Sequence, residues 1–440
     1  MKRYKLTAIV LVILTLGLLG GCSSGAATYS EQTDVEVFQN VPIMEVEGAT
    51  TSTADDYGDG NYVIQVNKTT KSDYDTYLAL LEKEGFTKYV DNGEGFDGTV
   101  FTATYTKDDL VVNILQLDKI GKTYICAGNE KLSEHLLYND KYVADNVEGA
   151  QTKIHMVEMY YFGSSFIIQL KNGHFIVNDG GTDYDAPYLF DYLEELAPEG
   201  EKPVVEAWVI SHAHYDHIGW VRTFQKNYSG YEGRVIVEGF YYNEPSEEVI
   251  AEEGKIQDIA ILKDVIKHIK TTDGKTPEIY RLHTGQRYYF NDIIMDVSLS
   301  QEQLLFKDYE DGFNESSTWL LYTIEGETVM IGGDSGPAGM KAMMNIYSED
   351  YCTFDFYSAL HHGYNIRADF TKYCTIDVVM YTERKVVSSG SKGKMNEKAK
   401  ETYSYGEGTM IFTYPYAENS AECIGNNQWL YHAGQPRPQL

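Results

Sequence analysis

The sequence predicts an α/β main domain over residues 153–440, preceded by a small α+β unit over residues 36–130. From residue 153 onward, apolar strand-like runs alternate with helical stretches, as in α/β architectures. One of those runs, Val204–Ile210, leads directly into three histidines and an aspartate within six residues. Upstream, residues 36–130 hold strands and an amphipathic helix of their own, and residues 130–152 read as a linker.

The chain opens Met1-Lys2-Arg3-Tyr4-Lys5 and then runs apolar from Leu6 to Leu19, too short for a comfortable spanning helix. Leu19-Gly20-Gly21-Cys22, followed by Ser23-Ser24-Gly25, resembles the bacterial lipoprotein lipobox. That resemblance implies a signal peptide at 1–21, lipidation of Cys22, and an extracytoplasmic protein held to the cell membrane by its acyl chains. Residues 22–35, rich in Ser, Gly, Ala and Thr, are expected to be a flexible tether.

In the small unit, Tyr62–Val66, Val100–Tyr105, Leu110–Leu115 and Thr123–Cys126 read as strands, with a turn at Lys107-Asp108-Asp109. Tyr77, Leu78, Leu80 and Leu81 give Asp73–Glu84 one apolar helical face, stopped at Gly85. Gly93-Glu94-Gly95-Phe96-Asp97-Gly98 fits a dinucleotide-binding spacing, but it leads into a strand and its acids would repel a pyrophosphate; it reads as an acidic turn. The unit carries no catalytic constellation, so a chain starting near residue 150 is expected to do without it.

In the main domain, Ser165–Leu170 and His174–Asn178 flank the hairpin signal Asn172-Gly173. A helix is expected at Ala186–Leu196, strands at Val204–Ile210 and Arg234–Phe240, and a long helical stretch at Glu247–Lys270. Strands return between Glu278 and Leu299, at Thr318–Thr323 and at Thr328–Ile331.

A formal net charge of -30 disfavours long polyanions, so extended nucleic acid is an unexpected partner, whereas a small or phosphate-containing substrate held by metal ions is compatible. Beyond Cys22, the cysteines Cys126, Cys352, Cys374 and Cys423 show no C-x-x-C spacing and read as mostly buried small apolar residues. Cys352 and Cys374 could pair in an oxidising compartment, but sequence alone leaves their separation open.

The chemistry concentrates in Ser211-His212-Ala213-His214-Tyr215-Asp216-His217-Ile218-Gly219. In extended backbone His212 and His214 point the same way, while Asp216 and His217 sit at the turn into the next helix and can face a neighbouring position. Imidazole and carboxylate at this spacing suit zinc or a similar divalent ion.

Here the sequence resembles a metallo-β-lactamase-fold hydrolase over roughly residues 155–432. Asp179-Gly180-Gly181 matches the first motif of that family, whose aspartate usually orients the metal-ligand histidines rather than binding metal. His212, His214, Asp216 and His217 match the second motif. Ile331-Gly332-Gly333-Asp334-Ser335-Gly336 matches the fourth, and Ser358-Ala359-Leu360-His361-His362-Gly363 the fifth. Asn314-Glu315-Ser316-Ser317 and the paired His361-His362 narrow the likeness to the free-standing relatives of the C-terminal domain of the ComEC competence protein.

The resemblance implies an αββα sandwich binding one or two divalent ions, zinc first and manganese as the alternative. His212, His214, Asp216, His217, Asp334 and one of His362 or His361 would be ligands, with Asp216 and His217 at the catalytic centre and Asp179 and Asn314 behind them. It implies a surface-anchored hydrolase acting on a phosphodiester or small ester through a metal-bound hydroxide. The alternative is a surface binding or sensor protein with a degenerate metal site.

One departure from the family pattern stands out. No clear histidine supplies the third motif, since His268 lies on the polar side of a helix and His283 on a strand expected to be remote. Asn243 or Glu244, at a strand end, is the expected substitute for completing the first metal site. The second site should therefore hold its ion more tightly than the first.

Overall fold

The structure is a computed structural model and describes residues 26–29, 33–143, 145–160, 162–253, 257–300, 312–383 and 398–425. The signal segment with Cys22, and His432, lie outside the described residues. Among the described residues no helix is long and apolar enough to cross a membrane.

Apolar residues alternate with period two along the strands of the N-terminal unit, and both faces of the resulting seven-stranded sheet are used. Its core runs antiparallel through Asn61–Asn67, Lys122–Gly128, Leu110–Leu117, Val100–Lys107 and Thr87–Asp91. Ile64, Val66, Val112 and Ile114 pack against Tyr74, Tyr77 and Leu81 of the one long helix of this unit, Lys71–Lys83. That helix begins before Asp73 because Thr70 and Asp73 form a reciprocal capping box at its N-terminus. The expected tether is shorter than residues 22–35: Tyr29 is fully buried, its ring edge-on to Phe38 at 5.6 Å and its hydroxyl accepting the Met44 N–H at 3.2 Å.

The opposite sheet face, carrying Val63, Leu115, Leu117, Tyr124 and Cys126, joins one apolar cluster with Leu299, Trp319, Met340, Met343 and Tyr347 of the main domain. Polar contacts ring this seam. Arg281 donates to the carbonyls of Tyr57 and Gly58 at 3.1 and 2.8 Å, and Asp97 of the glycine-rich turn accepts from the Ser348 amide and hydroxyl at 2.6 and 2.8 Å. The shared core runs against the expectation that the small unit can be removed, since its loss would bare a continuous apolar face.

The main domain is two facing sheets with helices outside each. In the first, Val204–Ile210 runs parallel between Phe175–Asn178 and Gly239–Tyr242. Lys153–Met156 and the late strand Gly408–Thr413 extend that sheet on the other side. In the second, antiparallel Ile293–Leu299, Trp319–Ile324 and Glu327–Ile331 continue into parallel Thr353–Ser358, Thr375–Tyr381 and Glu401–Ser404.

Ala207 and Val209 of the first sheet and Val329, Phe356 and Val378 of the second meet in the central core. Trp208 points outward onto the helices, stacking on Trp220 at 4.4 Å, while Met330 and Tyr357 cluster with Met340 and Met343 of the Pro337–Ile346 helix. The expected strand at Arg234–Phe240 is two short ones, Ile236–Val237 and Gly239–Tyr242. The expected helix at 247–270 is two, Glu247–Glu253 and Gln257–Ile266, with Gly254, a poor helix former, between them in sequence.

Candidate metal centre

Side chains that follow three strand ends, one from the first sheet and two from the second, converge at one place. The Val204–Ile210 strand delivers His212 to His217. The Glu327–Ile331 strand delivers Asp334 through Gly332-Gly333, and the Thr353–Ser358 strand delivers His361 and His362. Gly333 is held at φ +53°, and a Cβ there would sit 2.7 Å from Ser211 Oγ, so only glycine lets the Asp334 loop approach the histidine loop this closely.

Four residues form the centre: Asp216, His217, Asp334 and His362 each offer a ligand atom, and these atoms lie within 4.8 Å of one another. His217 Nε2 is 3.2 Å from Asp334 Oδ1 and 3.8 Å from Asp216 Oδ2. His362 Nε2 is 3.1 Å from Asp216 Oδ2 and 3.4 Å from Asp334 Oδ2. The far nitrogen of each imidazole is fixed from behind. Asp179 Oδ2 accepts His217 Nδ1–H at 2.8 Å, and the Thr382 carbonyl accepts His362 Nδ1–H at 2.7 Å. Both tautomers are thereby set with Nε2 facing the centre.

Asp179 itself adopts φ 58° and also accepts the Ser211 amide and hydroxyl, each at 2.8 Å. Glu315 accepts the Ala338 and Gly339 amides at the start of the helix after Asp334, and Ser317 Oγ accepts the Asp334 amide at 3.1 Å. Ser211, Ser317 and Thr382 had no assigned part in the sequence reading. Ser211 and Ser317 lie inside the motifs that carry the family resemblance, whereas nothing in the sequence marks Thr382.

The electrostatics are those of two largely buried carboxylates among imidazoles. Burial pushes the Asp216 and Asp334 carboxyls up, but His217 and His362 outweigh it and hold both below the usual carboxylate range. Burial pushes His217 and His362 down, but Asp334 and the other carboxylates outweigh it; His362 is raised to about 10 and His217 stands well above its ordinary value. His217 Nε2 is buried and makes no hydrogen bond despite its nearby carboxylates. A nitrogen in that state, beside two carboxylates and a second imidazole, fits a divalent cation that accepts nitrogen and oxygen donors.

His212 and His214 do not join this group. His212 is held by Ser211 Oγ at 3.0 Å, and its Nε2 turns to His214 Nδ1 at 3.2 Å. His214 Nδ1 lies 2.7 Å from Asn314 Oδ1, which places Asn314 behind the histidine pair. Burial, then His217, pushes His212 well below its ordinary pKa, leaving it a neutral imidazole beside the centre. His361 is a step away, with Nε2 4.0 Å from Asp334 Oδ2, and it is partly exposed.

The substitutes considered for the third motif have other work. Asn243 clamps the Leu282 backbone through both ends of its amide, each at 2.8 Å, and Glu244 pairs with Lys263 at 2.5 Å. His283 is buried against Glu130, 3.0 Å away in the domain seam, and His268 stacks on Tyr228.

Residues 160–365 match the family model described as the metallo-beta-lactamase superfamily. This segment is a metallo-β-lactamase-fold domain. Such domains generally belong to metal-dependent hydrolases, and the ions they bind are typically zinc. Among solved structures, the chain is similar to a Cronobacter sakazakii metallo-β-lactamase-type protein with a HARLDQ motif, at 18% identity and a TM-score of 0.26, covering 42% of this chain and 61% of that one. The metallo-β-lactamase-fold protein YhfI from Bacillus subtilis is 12% identical with a TM-score of 0.35, covering 59% of this chain and 99% of that one. Zn(2+)-bound PqqB from Methylobacterium extorquens is 8% identical with a TM-score of 0.33, covering 55% and 85%. No curated protein matches the sequence.

Proposed function

We propose that this chain is a metal-dependent hydrolase of a phosphodiester or small ester, anchored outside the cytoplasm through Cys22. The observation that carries the reading is the convergence of Asp216, His217, Asp334 and His362 on one point, with His217 Nε2 buried and unbonded. A divalent ion held by these four would supply polarisation of the scissile group and a lowered pKa for water.

The chain's own residues do the rest. Asp179 and Thr382 hold the two imidazoles in the metal-facing tautomer. Asp216 is the most exposed of the four, its side chain 15% accessible, and marks the side from which water and substrate reach the centre. His212 and His214, with Asn314 behind them, border the centre and are suited to a second, weaker ion, zinc or manganese.

A net charge of -30 favours a small substrate over long nucleic acid. The exposed rings of Phe162 and Tyr364 suit a substrate with a flat sugar or aromatic face. Phe162 lies two residues before Ser164, whose amide bonds the Asp216 carbonyl, and Tyr364 lies 6.0 Å from His361.

The test is metal analysis of the full chain together with a panel of chromogenic phosphodiesters, esters and β-lactams. At least one tightly held divalent ion and turnover of a phosphodiester or ester, both lost in Asp216→Ala and His217→Ala, are expected. No bound metal under any loading condition would remove the hydrolase reading.

A further inference from the structure

Cys352 and Cys374 stand at the entrances of two neighbouring parallel strands, Thr353–Ser358 and Thr375–Tyr381. Thr353 pairs with Thr375 in register, and the Thr375 amide donates to the Cys352 carbonyl at 3.1 Å, so the two cysteines face each other across one strand spacing. That spacing, about 4.8 Å, lies inside the range of Cα separations, roughly 4.4–6.8 Å, that a disulfide spans. Both side chains are buried in the same apolar cluster, among Phe354, Tyr357, Phe370 and Ile376. The Cys352 side chain, a hydrogen-bonding partner of the Cys374 sulfur, pushes the Cys374 thiol far up, and burial adds to this.

The position has a consequence for the metal centre. Residues 352–374 enclose the turn that presents His361 and His362. Three consecutive residues of that turn, His361, His362 and Gly363, lie in the left-handed region, at φ 48°, 52° and 90°. Two of these are not glycine, so the turn is held against its own backbone preference.

We propose that Cys352 and Cys374 form a disulfide that closes the base of this segment and steadies the turn carrying His362. The oxidant is a disulfide-bearing thiol compound or protein of an oxidising compartment. One cysteine thiolate attacks the S–S bond of the oxidant, forming a mixed disulfide and releasing one thiol. The second cysteine thiolate then attacks the mixed disulfide at the first cysteine's sulfur and releases the other thiol. Two protons and two electrons leave the pair, and the oxidant's disulfide ends as two thiols. Because both sulfurs are buried in the folded chain, the exchange takes place while the two strands are docking, and the finished bond is shielded from reductants.

The effect on His362 rests on the metal-centre reading, whereas the bond itself does not. The experiment uses the full chain exported into an oxidising compartment, acid-quenched, denatured and alkylated without reductant, followed by peptide mass mapping. The expected result is one linked pair of peptides holding Cys352 and Cys374, lighter by two hydrogens than the free pair, with Cys126 and Cys423 alkylated. Alkylation of both Cys352 and Cys374, or linkage of either to another cysteine, overturns the proposal.

Zinc loss to a chelator is then compared before and after reduction in mild denaturant and refolding with reductant present. Reduced chain losing zinc several-fold faster supports the steadying role, and equal rates overturn that part. A chain that binds no metal under any loading condition yet yields the linked peptides would sink the hydrolase reading and leave the disulfide standing.

Discussion

Replacing Asp179 by Asn tests whether the residue behind the centre, rather than the ligands alone, sets metal affinity. Asn tolerates the left-handed backbone at φ 58° as well as Asp does, so the change isolates hydrogen bonding from strain. Asp179 accepts three bonds of 2.8 Å: the Ser211 amide on Oδ1, and the Ser211 hydroxyl and His217 Nδ1–H on Oδ2. An asparagine that keeps its oxygen on the amide turns its NH2 toward His217 Nδ1. The imidazole proton is then driven to Nε2, the atom that faces the centre. The flipped amide instead sets two buried donors, its own NH2 and the Ser211 N–H, against each other. Either arrangement costs ~1–3 kcal/mol of stability. Zinc affinity should fall by about 10- to 100-fold, the usual effect of losing a partner behind a ligand histidine. The assay is zinc competition against a chromophoric chelator, with thermal melts of the metal-free chain alongside. An affinity within threefold of the parent, in a chain that melts normally, would refute the reasoning.

Further expectations follow from the same geometry. His362 is raised to about 10, above its unfolded value of about 6.5. Its contribution to the stability of the metal-free chain is therefore complete below pH 6.5 and lost as pH rises through about 10. Metal-free chain should melt lower at pH 9.5 than at pH 6.5, while the extra stability gained from zinc grows over that interval because fewer protons need displacing; a zinc-induced shift in Tm that is independent of pH would contradict this. A chain starting at residue 150 should melt lower or aggregate, since it bares the cluster around Trp319, Met340 and Tyr347 and strips His283 of Glu130; a truncated chain as stable as the whole, by differential scanning calorimetry, would show the seam to be weak. Cys22→Ser should leave the chain unprocessed or released from membranes, which fractionation and N-terminal mass determination would show; unchanged maturation and partitioning would end the lipoprotein reading.

What could be read in the sequence depended on how local each signal is. Val204–Ile210 and Ala186–Leu196 have the expected limits because their apolar runs are bounded by turn-forming or polar residues. The helix at Lys71–Lys83 starts ahead of the expected Asp73 because its start is set by Thr70 through a side-chain bond and not by the apolar face. Asp216, His217, Asp334 and His362 could each be named from a motif, but their meeting is a long-range fact of two sheets packing. Thr382 holds His362 mainly through its backbone carbonyl, and a carbonyl belongs to every residue type, so no residue identity could announce it. Asn243 looked like a spare ligand because it follows a strand end. Its partner, the Leu282 backbone, is brought beside it only by tertiary structure.

The division of the centre between the two sheets gives an ion there a mechanical role as well as a chemical one. Asp216 and His217 follow a strand of the first sheet, and Asp334 and His362 follow strands of the second. An ion gripped by all four is a bolt through the sandwich, and the sheets cannot part until it is let go. Its grip would then lengthen the unfolding half-life more than it shifts the folding rate, provided the two sheets dock late in folding. Capture of the ion by a competing chelator would then shorten the lifetime of the chain, coupling its survival to the supply of metal.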